Sequence, residues 1–216
     1  MSDPMCRDTL LRYSASVRSN HWLVAIAFVL AALSGLALFH PALFWLSGLF
    51  GGGPWTRILH PFIGLFMVLV FLTLAATVWD DNLLRPADWQ WLRQWRDVVN
   101  NREERLPEVG RYNGGQKLLF FVLVLCLLGL LLSGLAMWRA YFTLPVDLVR
   151  LAVVVHAISA LVLICAILVH IYAGFYVKGS VDAMVRGTVT PGWAWKHHRA
   201  WFRQITHDAH PRTRTD

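Results

Sequence analysis

Four long apolar runs constrain this chain of 216 residues more than any other feature. Each run consists almost entirely of Leu, Val, Ala, Ile and Phe with scattered Gly. About 20 such residues are needed to cross the hydrocarbon core of a bilayer, and a helix of that length satisfies its own backbone hydrogen bonds in lipid. The runs therefore predict four transmembrane helices, at about 22–39, 58–79, 118–138 and 151–177.

The composition and the placement of charge agree with a membrane protein. Hydrophobic residues make up 56% of the chain and charged residues 15%, whereas a soluble domain carries about 25% charged residues. Of the 20 Lys and Arg residues, 17 fall in the N-terminal segment, the loop 80–117 and the tail 178–216. By the positive-inside rule, both termini and that loop are expected in the cytoplasm. We therefore interpret the net charge of +7 as membrane topology, not as binding to nucleic acid.

Four histidines at or inside the apolar runs need an explanation, because ionisable groups within a membrane span are costly and are functional candidates. With the N-terminus inside, His21 immediately precedes the first helix near the cytoplasm, and His60 lies in the first turn of the second helix near the outer face. The fourth helix starts outside, which places His156 at the outer level and His170 toward the cytoplasm. Each level thus holds two histidines.

The spacing of His156 and His170 predicts that both lie on one face of the fourth helix. Their separation amounts to about 1,400° of rotation, some 40° short of four full turns, and to a rise of about 21 Å. A porphyrin supplies four nitrogens to iron and leaves two axial positions for imidazoles. We predict two b-type haems, an outer one bound by His60 and His156 and an inner one bound by His21 and His170. A hydrogen-bonded interior histidine is the alternative for each residue taken alone.

Two further features each allow two interpretations. Arg18 and Arg57 precede His21 and His60 by three residues, which favours pairing with haem propionates or positive anchoring at the lipid headgroups. The pentapeptide LSGLA occurs near the outer ends of both the first and the third helix. Its small residues favour close helix packing or room for a flat cofactor.

The loop 80–117 is expected to contain one amphipathic helix, which lies on the membrane surface or a partner, or packs against its own bundle. Its apolar face is formed by Trp91, Leu92, Trp95, Val98 and Val99. Other histidines are expected to carry no ligand, His40 at a helix end and His197 and His198 on a basic tail.

Short motifs occur in a fixed order over about residues 12–205. They are VRSNHW (17–22), RILHPF (57–62), YNGGQK (112–117), WR followed by YF (138–142), VKGS (177–180) and WKHH (195–198). A single motif of this kind would be weak evidence, but the ordered set is specific. It resembles the gamma subunit, a cytochrome b, of respiratory membrane-bound formate dehydrogenases.

The resemblance implies an all-α, four-helix cytochrome b in the bacterial inner membrane, formed by residues 1–216 as a single domain. Its implied partners are a catalytic alpha subunit and an iron–sulfur beta subunit, so that no formate-oxidising site is expected in this chain. Electrons would pass from the iron–sulfur subunit to the outer haem, to the inner haem and then to menaquinone or ubiquinone near the cytoplasm.

The resemblance also implies site residues. The family's haem ligands match the four histidines found from spacing. Its quinone pocket matches Asn113 and Gly115, with Gln116 and Lys117 adjacent, although the family often has Ala in place of Gly114. Apart from the resemblance, residues 112–117 are typical of a turn and a helix N-cap.

Two other functions stay open at this stage. The chain would equally serve another dehydrogenase or reductase, such as a hydrogenase or a thiosulfate reductase, because the haem argument does not identify the partner subunit. A haem-free transporter or anchor with buried histidines is the alternative of another class.

Overall fold

The structure is a computed structural model that describes residues 9–100, 102–138 and 141–209. Nearly all of the described chain that is regular is helical, as the apolar runs predict. In chain order the helices are α1 Ala15–Phe39, α2 Gly53–Asn82, α3 Pro86–Arg93, α4 Trp95–Val99, α5 Gly114–Met137, α6 Val146–Tyr176, α7 Ser180–Arg186, α8 Pro191–His197 and α9 Arg199–Ala209. Two-residue strands lie at β1 Leu10–Leu11 and β2 Thr188–Val189, and 3-10 helices at Pro41–Phe50 and Glu103–Arg105.

Four of these helices, α1, α2, α5 and α6, are long and apolar enough to cross a membrane, which confirms the four predicted spans. Each begins before its apolar run, because a helix continues its backbone hydrogen bonds into a polar flank where water or side chains satisfy the first groups. The expectation that His21 precedes the first helix is therefore wrong, since α1 begins at Ala15. His60 likewise lies about two turns inside α2, which begins at Gly53.

The chain divides into two compact units. The first, which we call the bundle unit, comprises residues 19–77 and 121–171, and the second, the terminal unit, comprises the described parts of 1–18, 78–120 and 172–216. All four predicted haem ligands belong to the bundle unit.

In the bundle unit the buried face of α1 consists of small residues, which allow a neighbouring helix to approach closely. They are Ala27, Ala31, Ser34 and Ala37. On α6, Leu163 lies seven residues from both His156 and His170 and is only 3% exposed. Because seven residues are close to two turns, the buried Leu163 lies on the same stripe of α6 as both histidines.

The terminal unit contains a small hydrophobic core built by both ends of the chain. The strands β1 and β2 pair antiparallel, with Leu10 opposite Val189. The buried core residues are Leu10, Ala183, Val189, Ala194, Trp201 and Phe202. The C-terminal segment is therefore a folded element and not a charged tail as far as residue 209.

The loop between α2 and α5 differs from the prediction of one amphipathic helix, because the helix is interrupted at Gln94 into α3 and α4. Trp91 packs against Gly115, where an added Cβ would lie 3.0 Å from the indole ring. Trp95 and Val99 are 58% and 64% exposed. The predicted apolar face is thus divided, with Trp91 packed against its own chain and the α4 residues at the surface.

Arg12 and His198 form a buried polar centre in the terminal unit, at 1% and 2% exposure. The Arg12 guanidinium lies 4.4 Å from the centroid of the Trp201 ring and donates to the Arg111 carbonyl. His198 Nδ1 is 2.9 Å from the Gly110 carbonyl oxygen, and its Nε2 is 3.4 Å from Arg12 Nη2. The expectation that His198 decorates an exposed tail is wrong.

The hydrogen bonds of His198 determine its protonation state. A carbonyl only accepts and a guanidinium only donates, so Nδ1 carries the proton and Nε2 accepts from Arg12. Burial, and then the positive charge of Arg12, lowers the pKa of His198 to about 3 from an ordinary value of 6.5. Protonation of His198 in the folded protein would place a second positive charge beside that of Arg12.

We predict that the terminal unit loses stability as the pH falls below 6.5, since the unfolded chain then binds a proton that native His198 does not. The loss reaches about 1.4 kcal/mol per pH unit. His198→Gln keeps a donor for Gly110 and an acceptor for Arg12 but does not titrate. Amide hydrogen exchange of residues 188–202, compared between about pH 7.5 and 5.5 after correction for intrinsic rates, measures this slope.

The matched control is His207→Gln, because His207 lies at the exposed surface of α9. We expect this variant to keep the wild-type slope and His198→Gln to reduce it, with a remainder from His197, whose pKa burial also lowers to about 4. An equal slope in all three proteins would contradict the assignment.

Candidate haem sites

The structure brings the four predicted ligands of the bundle unit together as two facing pairs. The ring centroids of His60 and His156 are 6.2 Å apart, with an angle of 74° between the planes. Those of His21 and His170 are 6.1 Å apart, at 56°. Each pair thus joins α6 to one other helix, α2 in the first case and α1 in the second.

Both separations fit an iron atom between the rings. A metal–imidazole bond is about 2.0–2.1 Å long, so two such bonds in line leave the ring centroids roughly 6 Å apart. Within the described residues no group of three or more His, Cys, Asp or Glu side chains comes together. Each pair therefore offers two nitrogen donors and no further protein ligand, which suits a porphyrin iron better than a bare ion.

The histidine rings are not tightly enclosed by the chain. His21, His60 and His156 are half-buried and His170 is exposed. One turn beyond His60, a Cβ added at Gly64 would meet no described protein atom within 4 Å. Of the four long helices, α6 is also the least buried, at 11% of its most apolar stretch against 22% in the others. The surroundings of the rings leave the space that a planar group beside them requires.

In the His60–His156 pair, a serine hydroxyl contacts Nδ1 of each ring. Ser34 Oγ on α1 lies 2.9 Å from His60 Nδ1, and Ser133 Oγ on α5 lies 3.0 Å from His156 Nδ1. Both serines come from the repeated LSGLA sequence. The sequence prediction missed this role, although the repeat itself was the signal that could have identified it.

The His21–His170 pair has different surroundings. Among the described residues His21 Nδ1 has no hydrogen-bond partner. The neighbouring Asn20 contacts Thr73, with 2.6 Å between the side-chain amide and the hydroxyl. This contact fixes α1 against α2 one residue before His21.

The two arginines predicted beside the haems differ in their contacts. Arg18 is half-buried in the terminal unit and donates from Nη1 to the Val185 carbonyl. Arg57 is exposed on α2. Pairing of either side chain with a propionate stays a prediction.

The predicted quinone residues lie together at the start of α5 in the terminal unit. Asn113 Oδ1 accepts from the Gln116 backbone N–H at 2.9 Å, and Gln116 Oε1 accepts from the Asn113 N–H at 3.0 Å. This reciprocal pair caps the helix. Lys117 Nζ is buried at 2.8 Å from Asp88 Oδ2 and 2.9 Å from the Leu83 carbonyl oxygen. Each of these three side chains therefore has a structural role, and quinone binding by them stays a prediction.

Comparison with known proteins shows similarity over most of the chain. A family model described as prokaryotic cytochrome b561 matches residues 12–187. The chain is 42% identical over 201 residues to the formate dehydrogenase cytochrome b556(fdo) subunit of Escherichia coli strain K12, covering 92% of this chain and 94% of that relative.

Two further relatives agree. The formate dehydrogenase cytochrome b556 subunit of Haemophilus influenzae is 38% identical over 90% of this chain and 83% of its own length. The nitrate-inducible cytochrome b556(Fdn) subunit of Escherichia coli is 39% identical over 87% of this chain and 88% of its own length. The resemblance drawn from the sequence motifs is confirmed, and the family implies b-type haem.

We predict that each histidine pair holds one haem. Replacing His60 or His156 by Ala should remove one haem and leave the other, and replacing His21 or His170 should remove the second, because a b-type haem is retained only through its axial bonds and pocket. Haem content and the reduced-minus-oxidised spectrum of the purified complex measure this.

His40→Ala is the control, since His40 Nδ1 only accepts from the Ala42 N–H at a helix end; it should retain both haems. Loss of the same haem in His60→Ala and His21→Ala would overturn the pairing.

Proposed function

The chain belongs to the prokaryotic cytochrome b561 family, and from this premise we propose that it is the di-haem cytochrome b subunit of a formate dehydrogenase. In this role it anchors the complex in the inner membrane and passes electrons from an iron–sulfur subunit to quinone. The observation that carries the proposal is the pair of facing imidazoles at each of two levels, 6.2 Å and 6.1 Å apart, on helices able to cross a membrane.

The chain's own residues supply the binding for this function. His60 and His156 would hold one haem and His21 and His170 the other, and the two haems would supply one-electron redox centres. Two protein ligands per iron leave no coordination position for oxygen, which favours electron transfer over oxygen activation.

The direction of transfer follows from charge and from the relatives. The positive-inside rule favours cytoplasmic termini and loop 80–117, so the His60–His156 pair is the outer one and the His21–His170 pair the inner one. Electrons then enter near the outer face, where the partner subunits bind, and leave to quinone near the cytoplasm. The relatives named as formate dehydrogenase subunits support formate as the electron source.

Formate-dependent reduction tests the proposal. In a complex purified through a tag on this chain, we expect formate to reduce both b-type haems to the extent that dithionite does, and an iron–sulfur and a catalytic subunit to copurify. Reduction by hydrogen instead of formate would favour a hydrogenase partner. Absence of b-type bands after dithionite would contradict a cytochrome altogether and favour a haem-free anchor.

The quinone part of the proposal depends on Asn113, whose side-chain N–H₂ is the donor suited to a quinone carbonyl. Asn113→Ala would also remove the α5 cap, at a cost of about 1 kcal/mol. Asn113→Ser keeps an N-cap oxygen and removes the amide donor. We expect this variant to keep both haem spectra and to slow reoxidation by quinone by roughly three- to tenfold, the worth of one hydrogen bond.

The control for this experiment changes a helix cap elsewhere. Thr190 caps α8 by accepting from the Trp193 N–H at 3.2 Å, and Thr190→Ser should leave quinone kinetics unchanged. Wild-type quinone kinetics in Asn113→Ser would count against the pocket, without affecting the haem assignment.

A further inference from the structure

The two copies of LSGLA, at 33–37 and 132–136, perform the same task in different helices. In the first copy Ser34 contacts His60, and in the second Ser133 contacts His156. The glycine that follows each serine lies under the same ring. A Cβ added at Gly35 would be 3.1 Å from His60 Cε1, and one at Gly134 would be 3.5 Å from His156 Cε1.

Both serine hydroxyls are buried, at 0% exposure for Ser34 and 4% for Ser133, so their hydrogen bonds are made within the protein. Ser34 Oγ donates to the Leu30 carbonyl at 2.8 Å. Ser133 Oγ donates to the Gly129 carbonyl at 2.5 Å. A hydroxyl has one proton and two lone pairs, so with that proton on the carbonyl the serine oxygen accepts from the imidazole. A backbone carbonyl is a second acceptor for each ring, that of Ala31 for His60 and that of Leu130 for His156.

This assignment determines the tautomer of both rings. The histidine nitrogen that contacts serine is Nδ1 in each case, and it must carry the proton that it donates. Nε2 therefore carries the lone pair, which is the form of imidazole that binds iron. In a metal-bound histidine, a hydrogen bond from the N–H of the ring nitrogen that does not bind the metal fixes the ring orientation. It also raises the basicity of the ligand.

We infer that Ser34 and Ser133 are positioning residues that orient both axial imidazoles of one haem and lower its reduction potential. The inference rests on the proposed function, because it requires a haem between His60 and His156. A more basic ligand stabilises ferric iron over ferrous iron, so the potential of this haem falls. The angle of 74° between the two ring planes is the orientation that the serines maintain.

The other pair provides an internal comparison in the same protein. His21 Nδ1 lacks such a partner among the residues that the structure describes, and no LSGLA copy lies beside it. Substitutions at the serines should therefore change one haem and leave the second unaffected. A general effect on folding or on membrane insertion would change both.

Ser34→Ala, Ser133→Ala and the double variant test the inference in the purified complex. Redox titration of the b-type bands should show the potential of the His60–His156 haem raised in each variant. The expected shift is about tenfold in its ferric–ferrous equilibrium, or about 59 mV. The ferric low-spin EPR signal of that haem should shift, because its anisotropy follows the angle between the axial ring planes, while the other haem keeps its potential and signal.

Substitution of each serine by Thr and by Val tests the inference even if an alanine variant loses haem. Thr and Val have nearly the same shape, and only Thr retains a hydroxyl, which in a helix bonds to a preceding carbonyl as serine does. We expect Ser34→Thr and Ser133→Thr to stay near wild type, and Ser34→Val and Ser133→Val to shift the potential or to lose that haem.

Two outcomes separate the inference from the proposed function. If both haems are present in all variants and the potential and EPR signal are unchanged, or if Thr and Val behave alike, the serines have no positioning role and the cytochrome function stands. If the wild-type chain itself contains no b-type haem, the proposed function fails, and the inference fails with it.

Discussion

The placement of imidazole side chains inside an apolar bundle is the constraint on which the rest of this structure depends. A polar ring in lipid is costly unless its nitrogens are bonded. The chain sets the rings in two facing pairs, in each of which a haem iron would bond one nitrogen of both rings, and α6 contributes one ring to each pair. The buried face of α1 consists of small residues, which leave room for a neighbouring helix or a flat cofactor.

The two pairs are built differently, and the difference gives each a distinct electronic environment. In one pair, serines from α1 and α5 bond to the nitrogens opposite the proposed iron. In the other, the nearest support is the packing of α1 against α2 through Asn20 and Thr73. Serine hydroxyls at only one pair would lower the potential of the haem held there, and a lower potential favours passing electrons on to the second haem.

Much of the bundle unit could be predicted from sequence, because the signals are local. An apolar run of membrane length predicts a helix, and the helical repeat relates His156 to His170 without any knowledge of tertiary structure. The break at Gln94, the burial of His198 and the role of Ser34 could not be predicted in this way. His198 contacts Arg12, which lies 186 positions away, and Ser34 contacts a ring on another helix.

A density map of the purified complex would show whether each imidazole pair holds a haem. We expect flat density between His60 and His156 and between His21 and His170, with Nε2 of each ring directed at its centre. Rings that close on each other, turn apart or face lipid with no planar density between them would contradict this assignment.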